Sequence, residues 1–284
     1  MKKTGGLLLM LVACGGPNEE TLIDELRVVA MVAEPPEVAP GESVQISVLT
    51  SVPEETETEQ MTWSCLPMGE ACLEGQSGSL ENWVHQGELD ADGATTYSID
   101  LPVELGAFLQ EEEELRVPLW TLSCAPGVCP LFAMAKDSPD AAATGWAGLM
   151  SALADPISEL ALLPKEGVSL AVRTLVVSDR APESRNQNPV LVPESLDAVS
   201  VSLEQSVELQ FSLEDEGENL QAFGYTTIGG FGTAGKEVDA GVFDLTLFGP
   251  IETSEATEGR LFVVVNDGQG GTATWTQPFS VDSP

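Results

Sequence analysis

Short runs in which every second residue is apolar recur along most of this chain. Val44, Ile46 and Val48 alternate with Ser43, Gln45 and Ser47, and Val207, Leu209, Phe211 and Leu213 alternate with Glu208, Gln210 and Ser212. Phe223 with Tyr225, and Phe243 with Leu245 and Leu247, repeat the pattern. A period of two places one set of side chains on a core face and the other in water, so each run predicts a half-buried β-strand. Leu26, Val28, Ala30 and Val32 predict another, ended by Pro35-Pro36 because proline has no amide to continue a ladder. Met61 to Cys65 (with Trp63), Thr95 to Leu101, Val117 to Ser123 (with Trp120), Val168 to Val177 and Trp275 to Val281 are further strands, and Trp63, Trp120 and Trp275 are expected to be buried in them. Leu261 to Val265 is apolar throughout, the pattern of a central strand buried on both faces.

The intervening segments carry turn chemistry. Val38-Ala39-Pro40-Gly41-Glu42 and Asn266-Asp267-Gly268-Gln269-Gly270-Gly271 are turns. Cys124-Ala125-Pro126-Gly127-Val128-Cys129 predicts a hairpin between Val117–Ser123 and Leu131–Ala135, clasped by a disulfide. Leu66 to Asp92 is a long Gly- and Glu-rich loop, and Glu111 to Glu114 is a solvated acidic run. Ala141 to Leu163 is the one helical stretch, with Asp155-Pro156 as N-cap and first residue and Pro164 as its end. Arg180 to Gln187 is polar without apolar spacing and marks a linker. The predicted fold is mostly β: two Ig-like or cadherin-like β-sandwich domains in tandem, residues 22–180 with the helical insertion and residues 188–284.

The N-terminus changes the picture most. Lys2 and Lys3, the short apolar run Leu7 to Val12 and the small Ala13 have the layout of a secretory signal. The run is far shorter than the roughly 20 residues a membrane-spanning helix needs. Leu11-Val12-Ala13-Cys14 resembles the lipobox of bacterial lipoproteins. That resemblance implies a signal peptide over residues 1–13, diacylglycerol on the Cys14 thiol, and a lipidated flexible tether over residues 14–21. Gly15 after the cysteine, by the same resemblance, implies the outer membrane.

The chain has 46 acidic and 11 basic residues, a formal charge of −35, which becomes −37 once Lys2 and Lys3 leave with the signal. Such a charge repels nucleic acid and anionic head groups and excludes polyanion binding. A single histidine, His85, argues against histidine-based metal sites and most catalytic triads. Cys65, Cys72, Cys124 and Cys129 form an even set in an oxidising compartment, where disulfides persist, and their spacings favour the pairs Cys65–Cys72 and Cys124–Cys129. Gly230-Phe231-Gly232-Thr233-Ala234-Gly235 matches the dinucleotide-binding fingerprint, but no helical face follows it to meet a pyrophosphate, so it is a glycine-rich loop. Gly75-Gln76-Ser77-Gly78-Ser79 lacks the strand that a nucleophile elbow needs.

Leu26 to Val48, with its Pro-Gly-Glu turn, resembles the opening of bacterial Ig-like surface domains. The Asn188-Pro189 start, the acidic loop Glu214-Asp215-Glu216-Gly217-Glu218 and the turn before the last strand resemble cadherin-like and PKD-like repeats. The whole is similar to bacterial envelope lipoproteins of the myxobacterial type. The resemblance implies a non-catalytic binding or structural module with no cofactor, bound to the membrane through Cys14 and to an envelope protein or polysaccharide. A calcium-dependent adhesion module is the alternative. It would draw on Asn186 and Asn188 of the linker with Asp215, Glu218 and Asp267, although Gln187 stands where the cadherin linker has aspartate. A hydrolase built on two facing carboxylates is a further alternative.

Overall fold

A computed structural model describes residues 18–52, 58–64, 94–110, 113–128, 167–194, 199–215, 219–251 and 257–282. The first sandwich is built from β1 (Arg27–Glu34), β2 (Glu37–Val38), β3 (Ser43–Ser51), β4 (Glu59–Ser64), β5 (Ala94–Asp100), β6 (Glu114–Cys124) and β7 (Val168–Ser178). Its two sheets run β1-β3-β5 and β2-β7-β6-β4. The second is built from β8 (Val190–Pro193), β9 (Val199–Ser202), β10 (Ser206–Glu214), β11 (Leu220–Thr226), β12 (Gly230–Phe231), β13 (Lys236–Val238), β14 (Gly241–Phe248), β15 (Glu258–Asn266) and β16 (Thr272–Asp282), with sheets β12-β14-β10-β8 and β13-β11-β15-β16-β9.

One wiring scheme serves both sandwiches. The opening strand, β1 or β8, pairs antiparallel with the next long strand; the chain then crosses to the other sheet, where β2 or β9 pairs parallel with the last strand. This sheet-switching first strand is an Ig-like feature, and the two repeats define a tandem Ig-like β-sandwich protein. In the first repeat the crossing occurs at Pro35-Pro36, where the ladder has to stop.

Alternation decides which side chains fill each core. Val44, Ile46 and Val48 of β3 face Ile99, Val117, Leu119, Leu175 and Val177. Leu209, Phe211 and Leu213 of β10 meet Leu245, Leu247, Leu261, Val263 and Phe279, and Trp275 closes this core at its edge with its ring 5.1 Å from Phe211 in a T-shaped contact. Trp275 is only half-buried. Trp120 is half-buried for a different reason: Val117, Leu119 and Thr121 take the inward positions of β6, which leaves Trp120 on the outer face. The side chain of Trp63 lies outside the described residues.

Both edges of β6 are paired, by β4 from Glu59 to Ser64 and by β7 over its full length, and the expected return strand Leu131–Ala135 lies outside the described residues. The Pro126-Gly127 turn is present, with the Val128 amide donating to the Ala125 carbonyl, and β6 pairs antiparallel with β7. Val103–Gln110 forms a 3-10 segment whose Leu105 and Leu109 enter the first core. The predicted helix over 141–163 and the loop over 66–92 lie outside the described residues.

One end of the first core is polar. Thr50, Gln60, Thr62, Thr121 and Ser123 are all buried; Gln60 donates to the hydroxyls of Thr50 (3.1 Å) and Ser123 (2.9 Å), and the Thr62 and Thr121 hydroxyls lie 2.6 Å apart. Tyr97 completes this layer, and burial pushes its phenol up to about 12, against smaller opposing effects of Thr62 and Thr121. A phenol raised above its ordinary value of 10.0 contributes stability that is fully present below pH 10 and is lost as pH rises towards 12. Tyr225, the other of the two tyrosines, is also raised by burial, with Arg27 opposing. Alkaline titration followed by tyrosinate absorbance is thus expected to show no ionisation at the ordinary tyrosine pKa in the folded protein, and Tyr97→Phe to weaken the loss of stability above pH 10.

Candidate functional site at the domain junction

The linker predicted at Arg180 to Gln187 is polar for a physical reason: Arg180, Arg185 and the Asn186 amide tie it to the first sandwich, and the Asn186 side chain reaches the second. Glu37 of β2 is 1% exposed and sits under the linker. Its carboxylate accepts from the Ser178 hydroxyl (2.5 Å), the Arg180 guanidinium (3.3 Å) and the Asn186 amide (2.8 Å). Arg180 also reaches Glu114 at 3.2 Å, and Arg185 pairs with Glu42 at 2.6 Å. The Ala39 amide, then Arg185, hold the Glu42 carboxyl below its usual range. A buried carboxylate persists only when its lone pairs are met in this way.

From the second sandwich, Asp267 is also 1% exposed. One of its oxygens accepts from the Gln269 and Gly271 amides, shaping the β15–β16 turn, and the other accepts from Asn186 at 2.6 Å. Asn188 accepts from the Thr272 amide and donates to the Ala33 carbonyl, each at 2.8 Å, and also donates to Glu34. Arg173 of β7 donates to Asn266 at 3.1 Å and to the Gly270 carbonyl, while burial pushes its pKa down and Asp267 opposes that shift. Gly270 has φ +110°, and a Cβ there would come within 2.9 Å of Val176, so the closeness of turn to strand requires glycine.

Beside this polar strap lies an apolar seam. Ala30 and Leu49 of the first sandwich and Ile23 just before it pack against Phe262 and Val264 of β15, with Phe223 and Tyr225 alongside. These are outer-face residues: Leu261, Val263 and Val265 face the second core, and Phe262 and Val264 face the neighbouring domain. Arg27 lies 4.7 Å from the Tyr225 ring centre, a cation–π distance.

The structure brings Asn186 to Asp267, as the calcium alternative would require, and joins them by a direct hydrogen bond. Asp215 follows the last residue of β10, and Glu218 lies outside the described residues. Among the described residues no group of three or more His, Cys, Asp or Glu is placed to hold a metal. Gly230 to Gly235 passes from β12 towards β13 without a helix, in keeping with a glycine-rich loop. Cys124 is fully buried at the end of β6, whereas Cys14, Cys65, Cys72 and Cys129 lie outside the described residues. Sequence reasoning missed Glu37, Arg173 and the outer face of β15 as a junction; the continuous apolar run of β15 was the available signal.

No family model matches the chain. No curated protein matches either. Among solved structures, the chain is similar to a chimeric titin Z1Z2 carrying an exogenous decorin peptide (13% identity, 93% of this chain and 97% of that one, TM-score 0.24). It is also similar to tandem Ig repeats of Dlar (10%, 92% and 100%, TM-score 0.28) and to the titin I9–I11 tandem (7%, 91% and 66%, TM-score 0.22).

Truncating a buried phenylalanine costs roughly 3–5 kcal/mol. Phe262→Ala is expected to fall in that range and to split a single thermal unfolding transition into two, since it removes the seam and leaves both cores intact. Calorimetry checks this; one unbroken transition at the parent temperature would contradict the seam's role.

Proposed function

We propose that this protein is a lipid-anchored component of the cell envelope, a non-catalytic binding or structural module held at the outer membrane through Cys14. The observation that carries this reading is the fastened junction. Tandem sandwiches joined by a buried seam and a hydrogen-bonded strap form one stiff body, which suits a scaffold or display role. The lipobox-like Leu11-Val12-Ala13-Cys14 supports the anchor: the thiol takes a diacylglyceryl group from a phospholipid as a thioether, and cleavage before Cys14 frees the amine for further acylation. Several acyl chains at about 0.8 kcal/mol per buried CH₂ hold a protein stably, where one short chain does not. Its partner is an envelope protein or polysaccharide, to be sought by screening the soluble domains against both.

Cys14→Ala is expected to abolish acyl labelling and to move the protein from the membrane to the soluble fraction. Membrane association that persists at high salt would refute the anchor.

The pairs Cys65–Cys72 and Cys124–Cys129 belong to the same proposal; Cys124 is fully buried at the end of β6, beside the Pro126-Gly127 turn. Loops this short restrain the unfolded chain by less than the ~3 kcal/mol of a 15-residue loop. Mass spectrometry of non-reduced peptides should show each pair as a local loop; a peptide joining the Cys65 region to the Cys124 region would overturn the pairing.

A further inference from the structure

The N-terminal segment that leads into the first sandwich is docked on the second. The Asn18 amide donates to the Phe231 carbonyl and the Phe231 amide to the Thr21 hydroxyl, each at 2.8 Å. The Ile23 amide donates to the Thr226 carbonyl at 2.7 Å, and Leu22 bridges Thr226 in parallel. Thr21 and Phe231 are both fully buried. The tether is thus shorter than the sequence suggests, because from Asn18 onward the chain is part of the folded body.

Four peptide units separate Cys14 from Asn18, and at no more than about 3.6 Å per residue they reach roughly 14 Å. An 11-residue strand such as β16 extends about 36 Å. An anchor at Cys14 therefore cannot serve either end of the molecule indifferently; it stays close to Phe231. Part of the surface there is uncharged within a strongly acidic chain, with the exposed Glu20, Asp24 and Glu25 beside it. Tyr225 to Gly235 contains no charged residue, and Gly232, Thr233 and Gly235 are exposed at its tip.

We infer that the Tyr225–Gly235 end of the second sandwich, together with the docked residues 18–23, is the face that lies against the lipid bilayer. The inference rests on the reading of Cys14 as the lipidated residue. Small polar residues at the tip and the exposed Glu20, Asp24 and Glu25 beside it keep this face at head-group level, without insertion into the hydrocarbon. The loop that matches a dinucleotide fingerprint is in this account a membrane-apposed turn.

The test uses the full acylated protein in vesicles of phosphatidylethanolamine and phosphatidylglycerol with a head-group-linked acceptor dye. A donor dye is attached through an azide-bearing residue replacing either Thr233 or Val242. Val242 is 61% exposed and lies five residues along β14 from Leu247, the partner of Phe231, so it is about 17 Å from the residue on which the N-terminal segment docks. Energy transfer is expected to be stronger from position 233. Equal transfer, or stronger transfer from 242, in a chain that carries acyl label and floats with the vesicles overturns this orientation and leaves the anchor standing. A chain that takes up no acyl label overturns the anchor and this face with it.

Discussion

Phe262 and Val264 of β15, pressed between their own sheet and Ala30 and Leu49 of the neighbouring one, are the contact on which the rest of this structure depends. An Ig-like sandwich normally exposes the outer faces of its sheets to water and so wants them polar. Here two outer faces are apolar and cover one another. At about 25 cal/mol per Å² of apolar surface removed from water, burying a Phe and a Val contributes on the order of 3–6 kcal/mol. That is a large share of the 5–15 kcal/mol that typically separates folded from unfolded protein.

The polar strap follows from the seam. With the two sheets packed face to face, residues 178–188 cross between them in a partly dehydrated space, where each buried carboxylate and amide needs a partner. Glu37 and Asp267 are the two poles: one collects donors from the strand end and linker, the other holds its own turn and receives Asn186. Arg173 works in the opposite direction, carrying a cation from the first sandwich to acceptors of the second. The division of labour explains how a chain of formal charge −35 packs two domains so closely: the acids at the junction are paired or hydrogen-bonded, and the unpaired ones can stay in water.

Stiffness and placement together shape what the protein can do. A tandem whose domains share a seam presents fixed surfaces at fixed spacing, unlike a flexible string of repeats. Docking residues 18–23 on the second sandwich also makes the route of the chain differ from the order of its domains, since the first domain in sequence is not the one that holds the N-terminal segment.

The sequence by itself determined the strands, their wet and dry faces and the mostly β fold, because alternation is a local property that any sheet must respect: β3, β10 and β14 lie where Val44–Val48, Val207–Leu213 and Phe243–Leu247 alternate. It also placed the turns at Ala39–Glu42 and Asp267–Gly271, where backbone conformation limits the residue choice. It marked Leu261–Val265 as buried on both faces but could not say against what. It took the folded chain to show that the second face of β15 is a domain junction and that Asn18 to Ile23 belong to the far sandwich. Those outcomes depend on contacts between residues more than a hundred positions apart, such as Glu37 with Ser178 and Thr21 with Phe231, and no periodicity along the chain records which distant surface an apolar or polar face will meet.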